Sequence, residues 1–135
     1  MASAIFMNQK KILIVDDDEF LRKIYAAELT KQGYQVTEAV NGEDGWHKIE
    51  LAMPDLVLLD IIMPKKNGFE LLAQSRRESK SAALPVIMFS NLAQPEDKER
   101  ASKLGATAYI VKGEAQPETV VQQVDKLLQP DGQTS

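Results

Sequence analysis

The sequence predicts an α/β fold in which five β-strands, each followed by an α-helix, form one doubly wound parallel sheet, a (βα)5 arrangement. Short apolar runs alternate five times with longer segments whose apolar residues recur at helical spacing. Most runs are apolar throughout, which is typical of strands buried on both faces of a parallel sheet. Since parallel neighbours need right-handed crossovers, helices should cover both faces.

The predicted strands are four apolar runs and one alternating segment. The runs lie at residues 12–15, 56–59, 86–89 and 109–111. The segment at 34–39 alternates apolar and polar residues, which is expected of a strand at or near a sheet edge.

Turn-forming residues mark an end of four of the five predicted helices. Gly33, Pro54 and Gly105 should end the first, second and fourth helices. Pro95 and Pro117 should lie in the first turns of the fourth and fifth helices.

Length and composition favour one α/β domain at residues 11–129, with an N-terminal extension at 1–10 and a flexible C-terminal tail at 130–135. The chain has no cysteine, which excludes a disulfide framework and a thiolate metal site. Its net charge of −4 disfavours direct nucleic-acid binding. No apolar run approaches the roughly 20 residues that span a bilayer, and we expect no membrane contact and a cytoplasmic location.

Chemically distinctive residues follow four of the predicted strands. Three aspartates stand at 16–18, and Asp60, Ser90 and Lys112 follow the other three runs. In an open α/β sheet, ligands bind beyond these carboxyl ends. Turn formation explains an isolated Asp or Ser, but converging carboxylates repel each other unless they hold a hard cation such as Mg²⁺. A lysine beside them suits an anion, of which phosphate is the natural candidate.

From about Lys11 to Leu128, the chain resembles the receiver domains of two-component response regulators, the CheY-like family. The matching motifs are Ile-Leu-Ile-Val-Asp-Asp-Asp at 12–18, Leu-Leu-Asp-Ile-Ile-Met-Pro at 58–64, Lys-Asn-Gly-Phe-Glu at 66–70, Ser90, and Tyr-Ile-Val-Lys at 109–112. The resemblance implies a flavodoxin-like receiver fold. It also implies a phospho-signalling switch that is phosphorylated by a sensor histidine kinase or a phosphotransfer protein and catalyses only its own phosphoryl transfer and dephosphorylation.

Site roles are carried over from the resemblance residue by residue. Asp60 matches the phosphoacceptor, Ser90 the switch hydroxyl, and Lys112 the phosphate-binding cation. Tyr109 matches the aromatic residue whose ring turns inward on activation.

The resemblance also implies a Mg²⁺ site, with Mn²⁺ able to substitute. Asp17 matches the direct ligand, and Asp16 acts largely through metal-bound water. Asp60 and the backbone carbonyl of Ile62 supply the other protein oxygens. Asp18 lies beyond the acidic pair and is expected to start the first helix.

Phosphorylation is expected to change the surface formed by the fourth helix, the fifth strand and the fifth helix, which binds a downstream protein or a second copy. One position departs from the family, because Gly113 follows Lys112 where most receivers have a proline, usually joined by a cis bond. A cis bond before a non-proline residue costs about 2.5–4 kcal/mol, so we expect a trans bond here.

Two alternative functions stay open. A dehalogenase-like aspartyl phosphohydrolase would use an Asp-x-Asp motif on the first strand, and residues 16–18 formally contain one, although the chain is short for a cap domain. A phosphorylation-independent interaction module would need none of these residues. We interpret His47 and the basic group of Arg76, Arg77 and Lys80 as solvated surface.

Overall fold

The computed structural model describes residues 9–129, which form a parallel sheet with helices on both faces. The strands are β1 (Lys11–Val15), β2 (Gln35–Ala39), β3 (Leu56–Leu59), β4 (Val86–Ser90) and β5 (Ala108–Val111). The helices are α1 (Glu19–Lys31), α2 (Gly42–Ala52), α3 (Gly68–Arg77), α4 (Pro95–Lys103) and α5 (Pro117–Leu128), and a 3₁₀ turn spans Lys112–Glu114. Most of the predicted N-terminal extension and the whole predicted tail lie outside the described residues.

The strand order is β2-β1-β3-β4-β5 with every neighbouring pair parallel, which confirms the predicted fold class. From β1 the chain first builds outward to β2 and then returns to the other side of β1 with β3. That reversal opens a crevice above the carboxyl ends of β1 and β3, where ligands bind in sheets of this kind.

The sheet separates two hydrophobic layers. Leu13 and Val15 of β1 face one layer, which includes Ile49 of α2 and Leu72 of α3. Ile12 and Ile14 face the other, which is covered by α1 and α5. Because both faces are covered, the central strands β1, β3 and β4 contain the continuous apolar runs at 12–15, 56–59 and 86–89.

The run at 109–111 is an exception to this rule. It forms part of β5, which is an edge strand, and all four β5 residues are only half-buried. The expectation that a continuous apolar run is buried on both faces is therefore wrong for this strand.

Local turn chemistry agrees with the predicted helix ends. Gly33 and Gly105 have φ of 99° and 97°, the left-handed conformation that glycine adopts without strain. Pro95 and Pro117 occupy the first turns of α4 and α5, and Asp18 caps α1 by accepting a hydrogen bond from the Leu21 amide.

The basic group on α3 is not uniformly solvated. His47 and Arg77 are exposed as predicted, but Arg76 donates hydrogen bonds to the carbonyls of Ser81 and Gly105. The interpretation of Arg76 as solvated surface is wrong, because its guanidinium binds the backbone of two loops. The sequence alone does not show that these loops lie next to Arg76.

Two expected absences can be examined over residues 9–129. No peptide bond there is cis, so the Lys112–Gly113 bond is trans as predicted. Within the same range, no helix is long and apolar enough to cross a membrane.

Candidate acidic site at the carboxyl edge of the sheet

Strand register brings the predicted site residues together. Val15 of β1 pairs with Leu59 of β3, so Asp16 and Asp60, the next residues, leave the sheet side by side. The Asp60 amide continues this ladder by donating to the Val15 carbonyl. Ser90 pairs with Val111, and Lys112 follows directly on the neighbouring strand.

Asp16, Asp17 and Asp60 form a carboxylate cluster. One oxygen from each lies within 4.8 Å of the others. Asp16 and Asp60 are 1% and 7% exposed, whereas Asp17 is exposed and its carboxylate makes no hydrogen bond within residues 9–129. The cluster is thus buried on one side and open to solvent on the other.

Lys112 bridges the two buried carboxylates. Its Nζ lies 2.8 Å from Asp16 Oδ2 and 3.1 Å from Asp60 Oδ2. The second oxygen of each carboxylate accepts a backbone hydrogen bond, from Asp18 to Asp16 and from Ile61 to Asp60. Both acids are therefore held in one orientation from two sides.

The pocket shifts the protonation of its members. Burial raises the pKa of Asp60, and the nearby Asp16 carboxylate raises it further, while Lys112 opposes both effects. Burial lowers the pKa of Lys112, but the hydrogen bonds and charges of Asp16 and Asp60 outweigh burial and raise that pKa overall. The lysine therefore stays an ammonium at neutral pH.

The donor set fits a divalent oxygen-seeking cation. Three carboxyl groups lie around one ammonium, so acidic groups outnumber cationic ones in a partly buried pocket. Mg²⁺ takes oxygen ligands and keeps several waters, so a few carboxylates on an open side suffice. The Ile62 carbonyl accepts no hydrogen bond within residues 9–129, which leaves it available as a further oxygen.

Gly68 sets how closely α3 approaches the backbone of Asp60. Its amide donates to the Ile61 carbonyl, and a Cβ at this position would lie 2.1 Å from the Asp60 carbonyl oxygen. The matching motif at 66–70 pointed to this turn, but sequence reasoning assigned Gly68 no role.

Ser90 and Tyr109 meet at one loop residue. The Ser90 hydroxyl accepts a hydrogen bond from the Leu92 amide, and the Tyr109 hydroxyl donates to the Leu92 carbonyl at 2.7 Å. Ser90 is 1% exposed and Tyr109 is half-buried. The two predicted switch residues are thus joined through the β4–α4 loop.

Arg22 is a site residue that sequence reasoning missed. It is 7% exposed and shares the buried face of α1 with Tyr25 and Leu29. Its guanidinium binds the Asp16 carbonyl and the Glu38 carboxylate. The available signal was its spacing: Arg22 lies three residues before Tyr25 and seven before Leu29, which places it on the buried face of the helix.

Fold and site together define a doubly wound α/β domain with a carboxylate–lysine pocket at its topological switch point. The family model described as the response regulator receiver domain matches residues 12–125. The chain belongs to this family of two-component signalling domains. Receiver domains are phosphorylated by histidine kinases or phosphotransfer proteins and bind Mg²⁺ at an acidic pocket, which is the role of a phospho-switch rather than a classical enzyme.

Individual relatives agree with the family. The chain is 40% identical over 117 residues to the gliding motility regulatory protein of Myxococcus xanthus, covering 87% of this chain and 15% of that protein. It is 39% identical over 106 residues to the probable transcriptional regulator ycf27 of Cyanophora paradoxa, covering 78% of this chain and 43% of that protein. The chain thus spans less than half the length of either.

Solved structures confirm the fold. Chemotaxis protein CheY4 of Vibrio cholerae matches with a TM-score of 0.83 at 31% identity, covering 89% of this chain and 99% of that chain. A putative response regulator from Chloroflexus aurantiacus matches with a TM-score of 0.83 at 28% identity, covering 89% and 98%.

Proposed function

We propose that this domain accepts a phosphoryl group on Asp60, in a Mg²⁺-dependent reaction with a sensor histidine kinase or a phosphotransfer protein. One observation carries the proposal: the carboxyl edge of the sheet holds a buried carboxylate between a lysine and two further carboxylates. That arrangement provides a nucleophile, a cation for the transferred anion, and oxygen ligands for a metal ion.

Asp60 is held in one orientation, which favours its role as the acceptor. Phosphoryl transfer depends on positioning and charge neutralisation more than on a general base. Asp60 Oδ1 accepts the Ile61 amide at 2.8 Å, which fixes the plane of the carboxylate. An Asp60 oxygen forms the new O–P bond while the N–P bond of the donor phosphohistidine breaks, and the bonding electron pair stays on the imidazole nitrogen.

The metal would be held by Asp17, Asp60 and the Ile62 carbonyl, with Asp16 in support. When bound, Mg²⁺ supplies positive charge that neutralises the phosphoryl oxygens, a role that Mn²⁺ can also fill. Formation of the acyl phosphate, a mixed anhydride, removes the carboxylate charge of Asp60 with which Lys112 pairs, so the ammonium can turn to a phosphoryl oxygen. Water attacking phosphorus then breaks the O–P bond and restores the carboxylate.

The donor would approach over the open side of the pocket. Two large apolar side chains that lie close in sequence to site residues are exposed to solvent. Phe20 is 77% exposed three residues after Asp17, and Ile62 is 62% exposed two residues after Asp60. Solvent-facing apolar residues of this size suit contact with a protein partner.

The output surface would be the face formed by α4, β5 and α5, which binds a downstream protein or a second copy. Ser90 turning toward a phosphoryl oxygen gives up its bond to the Leu92 amide, and Tyr109 is bound to the same residue. On α4 only Ala101 is buried, so few contacts hold this helix in place. Amide exchange compared with and without phosphodonor should change on this face; change confined to α2 and α3 would refute the assignment.

The phosphohydrolase alternative is disfavoured by the contacts of its Asp-x-Asp motif. Asp18, the second acid of that motif, accepts from the Leu21 amide as the cap of α1 and is occupied there. Asp16 is 1% exposed and bound by Lys112, which leaves it little access to a substrate.

Intact mass after treatment with acetyl phosphate and Mg²⁺ tests the proposed acceptor. The protein should gain one phosphoryl group, about 80 Da from the formula of that group, and Asp60→Asn should gain none. Asp18→Asn is the matched control, since asparagine caps a helix as well as aspartate does, and it should be phosphorylated normally. Equal mass gain in Asp60→Asn would refute the acceptor, sustained release of phosphate would favour the phosphohydrolase, and no gain in the native protein would favour an interaction module.

We also propose that residues 11–129 form the complete receiver domain and that it acts in the cytoplasm. β1 begins at Lys11 and α5 ends at Leu128, so those bounds enclose every described element. Limited proteolysis should leave a resistant fragment with these ends, and cell fractionation tests the location.

A further inference from the structure

We propose that Arg22 is a positioning residue of the acidic pocket, which holds the peptide unit between Asp16 and Asp17 so that the Asp17 carboxylate is directed toward Asp60. This inference rests on the proposed function, because it concerns the Mg²⁺ affinity of the same pocket.

The contacts of Arg22 link the pocket to two elements. One guanidinium nitrogen donates to the Asp16 carbonyl at 2.8 Å. Nε donates to Glu38 Oε1 at 3.0 Å, and the side chains of this ion pair are 9% and 22% exposed. Arg22, which lies on α1, therefore connects that helix to the β1–α1 loop through Asp16 and to β2 through Glu38.

The bond to the Asp16 carbonyl controls Asp17 through peptide planarity. The carbonyl of one residue and the amide of the next belong to one rigid plane, so fixing the Asp16 oxygen also fixes where the Asp17 backbone leaves the loop. The Asp16 amide is already held by the Ala39 carbonyl at 3.1 Å. Because the Asp17 carboxylate has no hydrogen bond of its own within residues 9–129, its direction depends on this backbone.

Glu38 is anchored without Arg22, which makes the proposal testable. Lys23 also pairs with the Glu38 carboxylate, at 3.2 Å, and Lys48 donates to the Glu38 carbonyl. Removing the Arg22 guanidinium therefore does not strand a buried carboxylate.

Charge and position predict opposite results for Arg22→Met. Removing a cation near three carboxylates should tighten Mg²⁺ binding if charge alone matters. Losing the backbone bond should weaken Mg²⁺ binding if Arg22 positions Asp17. Arg22→Lys separates the two effects further, because lysine keeps the charge but cannot bind both partners with a fixed fork.

The experiment is a calorimetric titration of the full chain with Mg²⁺ and no phosphodonor. We expect both Arg22→Met and Arg22→Lys to bind Mg²⁺ roughly 10-fold more weakly, the size typical of residues that orient metal ligands. Lys23→Met is the matched control: it removes a cation from the same Glu38 but touches no backbone of the pocket, and its affinity should stay within about 2-fold. In the metal-free state, the Asp18 amide should exchange faster in both Arg22 variants, because it binds the carboxylate of the residue that Arg22 holds.

Unchanged or tighter Mg²⁺ binding by a folded Arg22 variant overturns the proposal. If Arg22→Met does not fold, Arg22→Lys carries the test, with circular dichroism to confirm its fold. The proposed function fails separately: native protein that binds Mg²⁺ but gains no phosphoryl group would refute the acceptor and leave the Arg22 result interpretable.

Discussion

Gly68→Ala should destabilise the domain, although alanine is the better helix former at this position. Gly68 is the first residue of α3, and its φ is not in the left-handed region. Helix propensity alone would make alanine more stable by about 0.5–1 kcal/mol. The added Cβ, however, would lie 2.1 Å from the Asp60 carbonyl oxygen and 2.8 Å from the Ile61 Cα.

These contacts are with backbone atoms, so no side chain can rotate away to relieve them. The start of α3 must move away from the end of β3, at a cost of about 2–3 kcal/mol, typical of overpacked sites. In a domain of this size that loss lowers Tm by roughly 10 °C. The same movement displaces the strand end that carries Asp60, so phosphorylation by acetyl phosphate should also slow.

Gly113→Ala is the matched control. Its Cβ would lie 3.7 Å from Asn91 Oδ1, an ordinary contact, so unfolding stability should change by less than about 0.5 kcal/mol. Chemical denaturation monitored by circular dichroism measures both variants. A Gly68→Ala protein as stable as the native one, or more stable, would show that the clash is relieved without cost and would refute this reasoning.

Three further variants probe the pocket and its loop. Burial and the Asp16 carboxylate raise the pKa of Asp60, so the folded protein keeps the Asp60 carboxyl protonated to a higher pH than the unfolded chain, and the stability contributed by the neutral acid is lost as pH rises above about 4. Asp60→Asn should therefore be more stable than the native protein at neutral pH and should lose less stability as pH rises. An equal pH profile of unfolding stability, measured by chemical denaturation, would contradict this. Lys112→Gln should bind Mg²⁺ more tightly by calorimetry, because it removes a cation that pairs with Asp16 and Asp60; weaker Mg²⁺ binding would count against this. Under the proposed function, the same variant should accept a phosphoryl group more slowly, because it lacks the cation proposed to bind the phosphoryl oxygens. Tyr109→Phe removes the hydrogen bond to the Leu92 carbonyl. This loss should lower the free energy of unfolding by about 0.5–1.5 kcal/mol and speed amide exchange in the β4–α4 loop. Unchanged exchange in that loop would mean that the hydrogen bond does not restrain the loop.

The fold could be predicted because each strand, and an end of four of the five helices, is marked locally. Runs such as 12–15 are apolar throughout because Leu13 and Val15 face one layer while Ile12 and Ile14 face the other. The strand β5 was predicted as an element but not as an edge, since its run looks the same as that of a central strand. Edge position depends on strand order, which apolar periodicity does not encode.

The members of the site could also be predicted, but not their partners. Residues at the carboxyl ends of parallel strands must meet, so Asp16, Asp60 and Lys112 were predicted to converge. The ammonium of Lys112 bridges the buried carboxylates of Asp16 and Asp60. This contact depends on strand register and side-chain rotamers, which the sequence does not show. Arg22 was missed, and Arg76 was wrongly interpreted as solvated surface, because each binds backbone carbonyl groups, which every residue carries.

The pocket is electrostatically incomplete as the chain alone builds it, and this explains how it can act as a switch. One ammonium serves two buried carboxylates, and a third carboxylate faces solvent beside them. Any cation that binds the folded state alone stabilises it by mass action, and the proposed phosphoryl group on Asp60 would change which oxygens Lys112 neutralises. Lys112 follows the half-buried edge strand β5 directly, and the loop beside that strand is held by hydrogen bonds that meet at Leu92. A change of charge at Asp60 would therefore act on an edge strand with no fully buried residue, where a small free energy can shift the arrangement of a surface.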